Sequence, residues 1–152
     1  MKYIKLFENN NEILSKLSKT LKKFLMDFFE VPSDNYPNNG YEIQSKNYLY
    51  GKLINLGIKN PNGALMICFS VEMYIENKHI KIKVYKNYNG IDSWAKSSEL
   101  QEYLHSIIKP LSKAFDPNNM FDFIRLVDLE ELISKMNMKE YNFRVDANKY
   151  NL

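Results

Sequence analysis

Cysteine, tryptophan and histidine are almost missing from this chain: its 152 residues hold one Cys, one Trp and two His. A lone cysteine excludes an internal disulfide, and the lack of any Cys-x-x-Cys removes the zinc-ribbon and dithiol-redox classes. With five glycines and five prolines the chain is neither collagenous nor of low complexity. No Gly-x-Gly-x-x-Gly, Gly-x-x-x-x-Gly-Lys or Gly-x-Ser-x-Gly occurs, which leaves no phosphate cradle or nucleophile elbow of those types. Long apolar runs are missing as well. The most apolar short window, Leu65 to Val71, falls far below the ~18–20 residues of a membrane span. Charges also interrupt the opening stretch from Met1 to Glu8, so no secretory apolar region is expected.

Arginine is scarce too, present only as Arg125 and Arg144, and lysine carries nearly all of the positive charge. The formal net charge is +3, from 21 basic and 18 acidic side chains. Abundant Lys, Asn, Ile and Tyr are what AT-rich codons supply, which accounts for the mild basicity without a ligand. Nucleic-acid binders usually carry a clustered basic patch and a pI above about 9. The expected setting is the cytoplasm of a low-GC bacterium or of one of its phages, with no membrane association.

What is present describes one folded domain, residues 1–152, with 45% hydrophobic and 26% charged residues. Asn9 to Glu30 reads as an amphipathic helix. Ile13, Leu14, Leu17, Leu21, Phe24, Leu25, Phe28 and Phe29 recur at three- and four-residue steps, and the asparagines at 9–11 offer an N-cap. Val31-Pro32 stops it, and a loop runs from Ser33 to Gly40.

Three antiparallel strands are expected next: Tyr48 to Ile58, Ala64 to Glu76 and His79 to Lys86. Tyr41 to Gln44 offers either a short edge strand or the start of a bent first one. A two-residue turn at Asn77-Lys78 pairs Ile75 with Ile80, Met73 with Ile82 and Val71 with Val84. The same register sets Glu72 opposite Lys83 and Tyr74 opposite Lys81. A four-residue turn, Asn60 to Gly63, aligns Ile58 with Leu65, Leu56 with Ile67 and Ile54 with Phe69.

After a loop from Asn87 to Gly90, Ser98-Glu99-Leu100-Gln101 matches a capping box opening a second helix, which Pro110 should kink or end near Ser106. In the tail, Phe121 to Val127 reads as a further strand or an extended segment, Asp128 to about Met138 as a helix and Tyr141 to Ala147 as a final strand. The expected fold class is α+β. Its centre is an antiparallel meander of three or four strands, covered on one face by an N-terminal and a central helix and followed by a mixed α/β tail.

Catalytic chemistry finds little footing. His79 beside a turn and His105 on a helix lack ligand spacing, and Cys68 lies mid-strand as a small packing residue. Asp116, Asn118 and Asp122 suggest a calcium loop, but Met120 and Phe121 occupy positions where an oxygen ligand and a glycine are required. The order α-β-β-β-α also occurs in metal-dependent nucleases of the PD-(D/E)xK type. The chain's Glu-x-Lys, Glu76-Asn77-Lys78, falls in a hairpin turn where its side chains share no strand face. Double-stranded-RNA-binding domains share that order too, but the second helix here opens with one lysine and one acid instead of a lysine cluster.

The surface that remains is the second sheet face and its rim: Lys52, Tyr74, Lys81, Lys83, Tyr85, Lys86 and Tyr88. Interleaved lysines and tyrosines could hold an acidic protein surface, or track phosphates while stacking bases. The expectation is therefore a non-enzymatic interaction protein without cofactor or metal. It would dock another protein or its own copy at exposed strand edges, as a phage or mobile-element product acting on a host system. Nucleic-acid or nucleotide binding is the alternative, and a nuclease a distant third.

Overall fold

The computed structural model describes residues 2–31, 40–48, 51–59, 62–87 and 91–150. Its elements run α1 (Lys2–Phe29), β1 (Tyr41–Tyr48), β2 (Gly51–Lys59), β3 (Leu65–Glu76), β4 (His79–Lys86), α2 (Ile91–Ile108), β5 (Ser112–Asp116), β6 (Phe121–Arg125), α3 (Leu129–Lys135) and α4 (Met138–Lys149). All six strands form one antiparallel sheet in the order β1-β2-β3-β4-β6-β5. The α+β class stands, with a wider sheet than three or four strands.

The apolar stripe of α1 supplies the roof. Leu14, Leu17, Leu21, Phe24, Leu25, Phe28 and Phe29 are all buried, and Ile13 packs at the margin. Beneath them lie Ile54 and Leu56 of β2, Phe69, Val71 and Met73 of β3, and Ile80, Ile82 and Val84 of β4. Leu100, Leu104, Ile107 and Ile108 of α2 complete the core beside α1, with Leu129 and Leu132 of α3. Each of these larger side chains contributes roughly 1.5–3 kcal/mol when fully withdrawn from water, so this one-sided core holds the sheet. No described helix is long and apolar enough to cross a membrane.

The β3–β4 hairpin has the register its sequence predicts, with Val71 opposite Val84 and Glu72 opposite Lys83. Its turn residues Asn77 and Lys78 both take positive φ, 51° and 62°. Such a turn matches the right-handed twist of the flanking strands. The β2–β3 register differs from the expected one. Ile54 faces Val71 and Leu56 faces Phe69, whereas Ile58 faces Met66 and Lys59 faces Leu65. Two causes add. The connection holds one more residue than a four-residue turn, and Cys68 is an extra residue in β3 where the register slips between Leu56 and Gly57. The combined shift of two keeps Ile54 and Leu56 on the core face, because strand side chains alternate with period two.

Other expectations are corrected. Helix α1 begins at Lys2, so the asparagines at 9–11 lie within it; Asn costs a helix interior well under 1 kcal/mol per residue relative to Ala. Helix α2 begins at Ile91, which places Ser98 in mid-helix, so no capping box forms there. That helix persists to Ile108, and Pro110 occupies the following 3₁₀ turn, where its missing N–H costs nothing. The strand expected from Tyr48 divides into β1 and β2, and the helix after Asp128 stops at Lys135. Strand β5 had no predicted counterpart.

The largest reversal is at the end, where Tyr141 to Ala147 is helical within α4. The side chain of Asn137 accepts from the Glu140 N–H as an N-cap, and Glu140 pairs with Arg144 one turn on. The alternation of Tyr141, Phe143 and Val145 imitates a strand. In fact only Tyr141 packs inward, edge-on to Phe28 and Tyr103, while Phe143 and Val145 stay exposed. The predicted loop at 33–40 and the end of the loop at 87–90 fall largely outside the described residues.

Candidate functional site: the open face of the sheet

With every helix contact on one face, the other face of the sheet lacks a helical cover among the described residues. Two strand glycines shape it. Gly51 and Gly57 point toward this face, and β3 approaches both so closely that a Cβ would overlap a carbonyl oxygen, that of Met73 at Gly51 and that of Met66 at Gly57. At Gly51 a Cβ would also sit 2.6 Å from the Cβ of Tyr74. β3 therefore presses on β2 at both of its ends, with the bulge at Cys68 beside Gly57. The turn of the β5–β6 hairpin shares a cleft with the start of β2.

That cleft encloses about 460 Å³ between Tyr48, Gly51 and Lys52 on one side and Asn118, Asn119, Met120 and Phe121 on the other. Glu72, Tyr74 and Lys83 line it as well. Phe121 meets Tyr74 edge-on at 5.3 Å between ring centres, and Met120 holds a positive φ of 59° with its side chain exposed. Asp116 fixes the hairpin turn by accepting from the N–H groups of Asn118 and Asn119 and from the Asn119 amide. The Asn119 amide bond, chiefly, holds the Asp116 carboxyl below its ordinary range.

The floor of the open face is polar and partly sealed. Ser70 donates to the Asn55 side-chain oxygen at 2.7 Å, and both residues are buried. Tyr85 lies beside Ser70 and donates to Glu72 at 3.1 Å; burial pushes its hydroxyl above the ordinary tyrosine range. Lys83 lies over the Tyr85 ring at 4.9 Å and opposite Glu72. Lys81 is ion-paired with Glu76 and flanked by the Tyr74 and Phe123 rings, at 5.2 and 4.9 Å from its nitrogen. The Glu76 bond is the main reason the Lys81 ammonium is held above its ordinary value.

Of the seven residues marked in the sequence, Tyr74, Lys81, Lys83 and Tyr85 share this face. Lys52 and Lys86 stand opposite Met73 and Phe69, so strand alternation turns them toward the helix side, and Lys52 borders the cleft at the rim of the sheet. Lys52 donates to Asn47 at 3.0 Å, and Lys86 reaches across to Ser98 of α2 at 2.6 Å. Tyr88 lies outside the described residues. Asn55, Ser70, Tyr48 and Phe121 escaped the sequence reading. The first two look like solvated strand positions, and the others meet at the cleft only through pairings distant in the chain, Tyr48 opposite Gly51 and β6 beside β4.

The remaining chemical candidates are scattered. The Nδ1 of His79 lies 2.8 Å from the Asn77 carbonyl oxygen, and Cys68 is buried with its thiol donating to the Leu56 carbonyl. His105 is half-buried against β4, and its pKa is lowered mainly by that burial. Asp116 and Asp122 point to opposite faces, since Asp122 pairs with core-facing Ile82 and bonds Ser112. Among the described residues no three His, Cys, Asp or Glu side chains converge as a metal site. Searches against protein-family models, curated proteins and solved structures found no match to this chain.

Proposed function

We propose that the protein works by binding, as a non-enzymatic interaction protein whose partner is another protein or a second copy of itself. The observation that carries this reading is a six-stranded sheet ending in two exposed edge strands. Residues Ser45 to Tyr48 of β1 and Lys113 to Phe115 of β5 are all exposed. Edge strands carry a row of outward-pointing backbone donors and acceptors that another strand can satisfy, and folded proteins usually blunt them with proline, bulges or charge. The β1 edge has no proline, no bulge on its pairing with β2, and exposed Tyr48 at its end. Cytoplasmic residence and a role in a mobile element belong to the same proposal.

Nucleic-acid binding rests on the interleaving of Tyr74, Lys81, Lys83 and Tyr85. Against it, Glu72, Glu76 and Asp116 share that face and Lys81 is already paired, so phosphates would meet a balanced surface. An electrophoretic shift over a salt series separates the readings. The binding proposal expects no retained nucleic acid at about 0.15 M salt, whereas phosphate contacts would give affinity falling steeply with salt. A sequence-tolerant complex with that steep slope would overturn it.

A further inference from the structure

We propose that two copies of this chain pair through β1, antiparallel, with Gln44 on the two-fold axis; this names the partner within the edge-docking reading above and rests on it. The backbone decides which registers are possible. The Lys59 N–H donates to the Gly40 carbonyl, so within the β1–β2 ladder the even-numbered residues of β1 exchange hydrogen bonds with β2. By alternation, Ile43, Ser45 and Asn47 turn their N–H and C=O groups outward. A second β1 can satisfy those groups only in a register that sets odd-numbered residues opposite odd-numbered ones.

Charge then selects among the allowed registers. Glu42 and Lys46 lie on the open face, about 13 Å apart along the strand, too far to pair with each other. Neither makes an ion pair among the described residues. With Ile43 on the axis, Glu42 faces Gln44. With Ser45 on the axis, Glu42 faces Tyr48 and Lys46 faces Gln44. With Gln44 on the axis, Glu42 of each copy stands opposite Lys46 of the other, twice over, in the pairs whose side chains come closest. Ile43 and Ser45 exchange the backbone bonds. The two sheets join into one of twelve strands, and the exposed run Ser45–Lys46–Asn47 is covered. A contact this short lies below the standard interface size, so the dimer is a weak, concentration-dependent one.

Light scattering on the full chain over concentrations on the order of 10–500 µM should show reversible dimerisation. Lys46→Glu or Glu42→Lys should weaken it about tenfold, by opposing like charges at two symmetric positions, and the double charge swap should restore it. A Gln44→Cys variant should form a covalent dimer under mild oxidation while Ser45→Cys does not, because cross-strand Cα atoms in such a pair lie within disulfide reach. A chain monomeric throughout, or one that dimerises unaffected by either charge reversal and without the Gln44→Cys cross-link, overturns the two-fold pairing. Neither of those outcomes touches the broader binding reading, which stands or falls on the salt series.

Discussion

The buried Ser70–Asn55 pair gives the sharpest test of how the open face is built. Ser70 is 1% exposed and Asn55 4%, they stand opposite each other across β2 and β3, and their side chains are joined at 2.7 Å. Ser70→Ala removes one oxygen and almost no volume, so it opens no cavity and takes away only the hydroxyl that bonds Asn55 and neighbours Tyr85. What it leaves is an Asn55 oxygen buried without its donor, a loss of about 1–3 kcal/mol, far above the net value of most exposed hydrogen bonds. Taking 2 kcal/mol and a urea m-value near 2 kcal/mol per molar, the unfolding midpoint should fall by about 1 M with unchanged slope. Asn55→Leu should cost less, since the Ser70 hydroxyl can turn toward Tyr85. The double variant, Ser70→Ala with Asn55→Leu, should recover most of the loss, because no buried polar atom of the pair then remains unsatisfied. Urea unfolding followed by circular dichroism reads all four corners of the cycle. If Ser70→Ala stays within about 0.5 kcal/mol of the parent, or the double variant equals the sum of the singles, the sealed polar floor is refuted.

Three further expectations follow from the same geometry. The Tyr103 hydroxyl donates to the Lys135 carbonyl, and burial pushes its pKa up to about 12. A tyrosine whose folded pKa is raised contributes stability that is complete below pH 10 and lost as pH climbs toward 12. Alkaline titration of unfolding free energy should show a loss of order 1–2 kcal/mol that Tyr103→Phe flattens, and an unchanged slope in that variant would refute the assignment. Gly57→Ala should cost about 2 kcal/mol, some 4–8 °C in melting temperature, by driving a Cβ into the Met66 backbone. Gly63→Ala meets nothing within 4 Å and should cost only the roughly 1 kcal/mol of its positive φ; equal losses at both sites would show that β3 does not press on β2. The Ser97 hydroxyl is buried in α2 without a hydrogen-bond partner among the described residues, so Ser97→Ala should raise stability by about 0.5–1 kcal/mol in thermal unfolding, and a clear loss would reveal a partner for it.

The chain by itself determined what local periodicity and short turns can determine. The three- and four-residue spacing from Ile13 to Phe29 specifies a helix and its buried stripe whatever it packs on, and two residues between alternating strands admit one hairpin register. Tertiary structure decided the rest, because those features depend on partners distant in the chain. The bulge at Cys68 is invisible until β2 lies beside β3. The exposed β5 has no apolar signature of its own and exists as a strand because β6 extends the free edge of β4 and offers it a ladder. The last segment alternates like a strand, yet the cap at Asn137 and the seat of Tyr141 against Phe28 and Tyr103 make it helical. The open face followed the same division: its lysines and tyrosines were legible from the β3–β4 register, while the Asn55–Ser70 floor needed β2 beside β3 and the cleft needed the β5–β6 turn brought to the start of β2.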